Sequence, residues 1–381
     1  LRGHLIRPKF PPEGAAASPP TGCNARACDV AALAKGSRFH KFAQRQGTCL
    51  SGSESQKENS MKHVGALALA LGMAWASNLA HAQDAWPSRA ITFIVPYGPG
   101  GYTDLVGRLT ARYVEKALGK PVIVESRVGA GGIVGTQYVA SAAPDGYTFC
   151  VCSVGAVSIA PFAQKLGYDP VQDLAPVGIV STIVQAVIVK KDLPVKSMAD
   201  LVAYAKANPG KLNYGSSGVG GLTHYSVELF QARTGTKAVH IPFKGGAQST
   251  AAVLAGEVDF SFANMTDALP QIETGLVRGL AVTSLGRSPY FPDLPSVHET
   301  IIPDFVVETW NAIMAPAKTP EPIIRKMSEV LIKMADDPEA KETMRKAGAS
   351  TVKTTPEQFR AQIQQEMAQW QPLIKEIADK K

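Results

Sequence analysis

A short glycine pattern occurs twice in this chain, 120 positions apart. Gly98-Pro99-Gly100-Gly101-Tyr102-Thr103 and Gly218-Val219-Gly220-Gly221-Leu222-Thr223 both read Gly-x-Gly-Gly-x-Thr. Each copy follows a short apolar or β-like run and opens an amphipathic helix. Such a loop strips Cβ atoms from a strand-to-helix turn, so backbone N–H groups can approach a ligand at the positive end of a helix. One loop of this kind makes an anion site. Two predict a ligand held from both sides.

Around the loops, strands and helices alternate. Ile91–Val95 ends at Pro96 and reads as a buried parallel strand. A helix over 102–118 follows, with Leu105, Leu109, Val114 and Leu118 near one face. Val122–Val124, a glycine turn at 129–132, a helix over 133–142 and a strand over 147–153 complete a β-α-β-α-β order. That order predicts a parallel sheet with helices on both faces. Ile179–Val189 is a long β-branched run and predicts a crossover into a second lobe. There the predicted elements are a helix from Ser197 to about Ala207, strand 212–215, helix 222–234, strand 238–243, helix 247–255, and strands 257–262 and 279–284. Val306–Ala315 predicts the return crossover. Helices follow over 321–335 and from Pro356, where Thr355 and Gln358 hold capping positions. The fold class is α/β, with lobe 1 over 83–184 and 308–381, lobe 2 over 185–307, and a hinged cleft between them.

Two segments precede this body. Met61-Lys62-His63, an apolar run from Val64 to about Trp75, and Ala80-His81-Ala82 have the order of a secretion signal. Residues 61–82 are therefore expected to be cleaved near Gln83. The apolar run is shorter than the ~20 residues a membrane span needs. Residues 1–60 contain no Met and no sustained apolar period, and read as an untranslated or disordered extension. Residues 1–82 hold ten of the 39 Lys and Arg and four of the 32 Asp and Glu, leaving 29 basic against 28 acidic side chains. The basic balance belongs to the leader, so nucleic acid is not an expected partner.

Beyond the signal, the cysteines are Cys150 and Cys152, and the histidines are His224, His240 and His298. No CxxC or HExxH spacing occurs, and neither metal nor cofactor is expected. Cys150 and Cys152 face one side of a strand, where two small buried side chains are expected rather than a disulfide. The first loop departs from the dinucleotide fingerprint in its glycine spacing and in Pro99, with Glu125 as a partial acidic match. Gly215–Val219 is no nucleophile elbow, because position 219 is Val. No catalytic constellation assembles. A binding protein is expected, with a secreted lyase or hydrolase, or a solute sensor feeding a signalling system, as competing readings.

The loops supply the candidate site. N–H groups near Gly100, Gly101, Tyr102 and Thr103, with the Thr103 hydroxyl, are expected to hold a carboxylate. Asp104 either stabilises the first helical turn or contacts the ligand. Across the cleft, Ser216, Ser217 and Gly218 precede the matching helix, with Thr223 and His224 in its first turn. His224 reads as packed or cap-bonding ahead of ligand-contacting. Lys244 either draws an anion inward or is a solvated loop lysine. Ser153 and Asn264 end strands and are expected to face the cleft.

These residues resemble the Bug-type periplasmic solute-binding proteins of tripartite tricarboxylate transporters. The resemblance runs from about Trp86 to the C-terminus. It is carried by Trp86-Pro87, Val95 through Asp104, Gly129 through Gly132, Ala143-Pro144-Asp145-Gly146-Tyr147 and Asp173 through Val177. Tyr214 through Gly218 with His224, Pro242 through Gly246, Arg278 through Ser284, and Leu294-Pro295-Ser296-Val297 complete it. It implies a type II periplasmic-binding fold, two α/β lobes joined by two crossover strands. It also implies a periplasmic monomer that closes on a small mono-, di- or tricarboxylate and serves inner-membrane transporter subunits. By this resemblance Gly98–Thr103, preceded by Tyr97, and Ser217–Thr223 grip carboxylate. Ala130, Gly131 and Gly132, with Lys244 and Gly245, border the same pocket. Many relatives carry Asp where this chain has Ala263, so an amino-bearing ligand is disfavoured. Ala263 and Asn264 are expected to set selectivity, and Gln248, in place of a usual Pro, to re-aim its loop.

Overall fold

The computed structural model describes residues 86–380, and the expected extension and signal peptide lie outside them. Strand β1 (Ile91–Val95) pairs in parallel with β2 (Val122–Ser126) and β3 (Thr148–Ser153). Helices α1 (Tyr102–Leu118) and α2 (Ile133–Ala140) lie in the connections. β1 is apolar and buried at four of its five positions, as a strand covered on both faces must be. Gly107 lets α1 settle onto this layer, since a Cβ there would come within 2.8 Å of Val95. Trp86 Nε1 donates to the Gly146 carbonyl at 3.0 Å, tying the start of the body to the turn before β3.

The chain then enters β4 (Leu174–Lys190), an almost wholly buried strand of 17 residues, about 55 Å long at 3.3 Å per residue. It continues through α3 (Met198–Ala207), β5 (Asn213–Ser216), α4 (Leu222–Thr234), β6 (Val239–Pro242), α5 (Gly246–Ala255), β7 (Phe260–Asn264), α6 (Met265–Glu273) and β8 (Val277–Val282). It returns through β9 (Glu308–Pro316), α7 (Glu321–Asp336), α8 (Pro338–Lys346), β10 (Ala349–Thr351) and α9 (Pro356–Asp379).

β4 belongs to both lobes. From Leu174 to Val184 it pairs with β9, and from Gln185 to Lys190 with β7 and β8. The first lobe orders its strands β2-β1-β3-β9-β4, with β10 also on β4; beyond β4 the order is β7-β5-β6. The expected parallel sheet is in fact mixed. β4 carries the chain out and β9 carries it back, so the two run antiparallel, and β9 is antiparallel to β3 as well. Thr283 clasps the two crossings together. Its N–H donates to the Gln185 carbonyl at 3.0 Å, its Oγ1 accepts from the Gln185 N–H at 3.0 Å, and the same hydroxyl donates to the Val307 carbonyl at 2.6 Å.

Two local expectations need correction. Cys150 and Cys152 form a disulfide. Their Cα atoms lie 5.2 Å apart, within the usual span, so the same-face geometry that argued against a bond brings the sulfurs together. Strand β7 starts at Phe260 rather than position 257, because Gly256 caps α5 in a left-handed conformation (φ 77°) and turns the chain first.

A buried carboxyl marks where α9 docks. Glu366 accepts from Trp310 Nε1 at 3.0 Å, Ser158 Oγ at 3.0 Å and Gln362 Nε2 at 2.8 Å. Burial nevertheless pushes it up to about 7, outweighing these three donors. A carboxyl raised in the folded state contributes stability that is fully present below its unfolded pKa and lost as pH rises through the folded value. Thermal unfolding is therefore expected to occur at higher temperature near pH 5.5 than at pH 8. Glu366 contributes about 2 kcal/mol to that difference. Melts at constant ionic strength that were flat or reversed over this window would refute the assignment.

Candidate functional site

The two glycine loops share conformation at their second and third glycines as well as sequence. Gly100 and Gly220, the second glycine of each copy, have φ of 85° and 88°, a region costly for other residues. Gly101 and Gly221, the third glycines, are extended N-caps of α1 and α4. Having no side chains, they leave the first-turn N–H groups to partners from outside the helix. Thr103 and Thr223 take the same second helical position with different partners. Asn311 Nδ2 donates to Thr103 Oγ1 at 3.2 Å, whereas the Ser217 N–H donates to Thr223 Oγ1 at 2.9 Å.

Two further helices start beside them. α5 begins at the N-cap Gly245 and α6 at Asn264, neither with a side-chain cap bond. The four helix starts border a cavity of about 30 Å³. Of the residues expected at the site, Tyr97, Gly98, Gly101, Tyr102, Thr103, Ser153, Ser217, Thr223 and Asn264 line it. The space is that of about one water.

The lobes meet backbone to backbone around this cavity. The Gly98 N–H donates to the Lys244 carbonyl at 2.8 Å. Gly131, at φ 61°, lies so close to the second loop that a Cβ would strike the Gly221 nitrogen and come within 2.6 Å of the Val219 carbonyl. Tyr97 fixes this turn by donating to the Gly131 carbonyl at 2.7 Å, and its hydroxyl also meets Ser153 Oγ at 2.9 Å. Burial pushes the Tyr97 phenol up, which keeps it a neutral donor.

The other expected residues stand outside the cavity wall. Asp104 accepts from the Gly100 N–H at 3.0 Å and pairs with Arg108 at 2.9 Å, so it serves the helix start. Ala130 and Gly132 flank Gly131 in the turn, with Gly132 against the Tyr97 ring. Ser216 meets His240 Nε2 at 2.6 Å and accepts from the Gly218 N–H at 3.1 Å. His224 stacks on His240 with ring centres 4.1 Å apart, and His240 stacks on Tyr214 at 4.8 Å. Lys244 offers its carbonyl to the contact while its side chain is exposed. Gly245 packs against Gly98. Ala263 is buried in the apolar cluster that holds Val253, Ala268 and Val282. Strand alternation explains this: with Asn264 at the cavity, its neighbour points to the opposite face.

A family model described as the tripartite tricarboxylate transporter family receptor matches residues 106–378. The chain belongs to this receptor family. BugT of Bordetella pertussis is 36% identical over 303 residues, covering 78% of this chain and 92% of BugT. Among solved structures, the periplasmic binding protein BugD is 34% identical with a TM-score of 0.74, covering 77% of this chain and 99% of that one. MatC from Rhodopseudomonas palustris, solved with bound malate, is 29% identical with a TM-score of 0.73, covering 76% and 100%. An R. palustris protein solved with adipate is 31% identical with a TM-score of 0.74, covering 77% and 98%. The fold is that of the periplasmic binding proteins. Among the described residues, no helix is long and apolar enough to cross a membrane.

This receptor's cavity also holds residues the sequence reading passed over: Leu222, Gly246, Asp267, Thr309 and Asn311. Asp267 sits in the first turn of α6 and is 7% exposed. The Tyr102 N–H bonds its carboxylate, but burial outweighs that bond and pushes the group up to about 7. Its Oδ2 has no hydrogen-bond partner. Gly246 leaves room for it, since a Cβ there would strike Oδ2. Asn311 donates from Nδ2 to Thr103 Oγ1 and, at 3.3 Å, to the Cys152 carbonyl, while its Oδ1 is buried without a partner. Asp267 was legible as an acidic residue three positions after a strand-ending Asn, a helix-start spacing. Asn311 carried no local signal, because β9 reaches the cavity only through its pairing with β3 and β4.

Proposed function

We propose that this receptor closes on a small mono-, di- or tricarboxylate outside the cytoplasm and delivers it to the inner-membrane subunits of a tripartite tricarboxylate-type transporter. One observation carries the reading: four helix N-termini border a cavity whose lining, among the described residues, contains no Lys, Arg or His. First-turn N–H groups and the positive helix end bind carboxylate without a cationic side chain. Grips in two lobes suit an acid engaged from both sides. The neighbours solved with malate and adipate support the same ligand class. The signal at 61–82 would bring the chain to the periplasm.

A thermal-shift screen of the purified protein against small carboxylic acids, sugars and nucleotides tests this. A ligand at 100 times its Kd stabilises the fold by ~2.7 kcal/mol. At least one carboxylic acid is expected to raise the melting temperature. Silence from every acid, with a response to a sugar or nucleotide, would overturn the reading.

A further inference from the structure

We infer that Asp267 makes this receptor selective for carboxylic acids that also carry an ammonium group, that is, for amino acids. The inference rests on the carboxylate-receptor reading and deepens it. A ligand carboxylate brings acceptors only, and the helix starts provide its donors. The cavity offers more than donors. Asp267 Oδ2 and Asn311 Oδ1 are both buried, both line the cavity and both lack a partner. The Asn311 amide is oriented by the Cys152 carbonyl, which can only accept, so Oδ1 is the acceptor left over. Two unpartnered buried acceptors in one small cavity call for a ligand group with several N–H or O–H donors.

Charge decides which group. No basic side chain among the described residues lines the cavity to balance Asp267. An acid without a cationic group would set a second negative charge beside an ionised Asp267 in a water-poor space, where like charges repel most. An ammonium removes that conflict and supplies three donors. A ligand hydroxyl would satisfy one acceptor and leave the repulsion.

The test is titration calorimetry of the full chain at pH 8, with pairs of acids that differ at one group: aspartate against succinate and malate, glutamate against glutarate, alanine against propionate. For the pair whose members bind, the amino acid is expected to bind at least about 30-fold tighter, the scale of a buried charge pair. Asp267→Asn is expected to weaken the amino acid and strengthen its deamino partner, so that the preference collapses. A wild-type receptor that binds the deamino or hydroxy acid as tightly as the amino acid overturns the inference while leaving the carboxylate reading standing. So does an Asp267→Asn protein that retains the preference. Binding of no acid in any pair overturns both. If Asp267→Asn does not fold, the wild-type ratios decide alone.

Discussion

Gly131→Ala is expected to raise the Kd for the receptor's ligand roughly 100-fold, about 3 kcal/mol, while both lobes still fold. The new methyl would meet the backbone of the opposite loop, at the Gly221 nitrogen, the Val219 carbonyl and the Gly220 carbonyl carbon. Backbone atoms of a glycine loop that leads into a helix cannot swing aside as a side-chain tip can, so the lobes must stop short of their present contact. The grip from the second lobe is then lost, and the ligand is held from one side. A left-handed alanine itself costs ~1–2 kcal/mol of stability. Gly119→Ala separates that strain from closure, because Gly119 is also left-handed (φ 68°) and a Cβ there meets nothing within 4 Å. Calorimetry gives the affinities, and small-angle scattering with saturating ligand reads the closure. If Gly131→Ala bound like the wild type, closure through the 129–132 turn would be excluded as the source of affinity.

Trp310→Ala is expected to be the most destabilising of the substitutions considered, at about 3–5 kcal/mol for a large buried aromatic. Trp310 is 1% exposed and meets Phe359 edge-on with ring centres 5.0 Å apart. It also donates to both oxygens of Glu366 at 3.0 Å. Truncation therefore opens a cavity and removes a donor from a buried carboxyl in one step. At roughly 2–4 °C per kcal/mol for a domain of this size, the melting temperature falls by about 10 °C. Trp310→Phe keeps the ring contact and loses the donor, and is expected to fall between wild type and Trp310→Ala. Equality of the phenylalanine and alanine variants would assign the whole effect to the indole–carboxylate bond and none to packing.

Much of the receptor was legible in its sequence because its elements declare themselves locally. Helices over 102–118 and 222–234 begin and end where the pattern put them, since each has a glycine N-cap and a left-handed glycine after its last turn. The capping box at Thr355 and Gln358 likewise announced the last helix. Helix α6 was missed because Pro270 lies inside it and Asn264 closes a strand while capping the helix. The short helix α8 and strand β10 follow α7 too closely to form separate periodic windows. At the site, alternation within β7 already forbade Ala263 and Asn264 from sharing one face, a constraint local enough to have been read.

The paired Gly-x-Gly-Gly-x-Thr loops are a property of the sequence: they dictate two uncapped helix starts wherever the chain places them. What faces those starts is a tertiary matter. Asp267 comes from one lobe, Asn311 from the returning strand, and Gly131 from a turn pressed against the opposite loop. Their positions in the chain span 180 residues, and no local period links them. Pairing along β4 and β9 brings Asp267 and Asn311 to one cavity, and the meeting of the two loops sets Gly131 beside it. There burial, which no linear pattern records, raises Asp267 and leaves its Oδ2 without a donor.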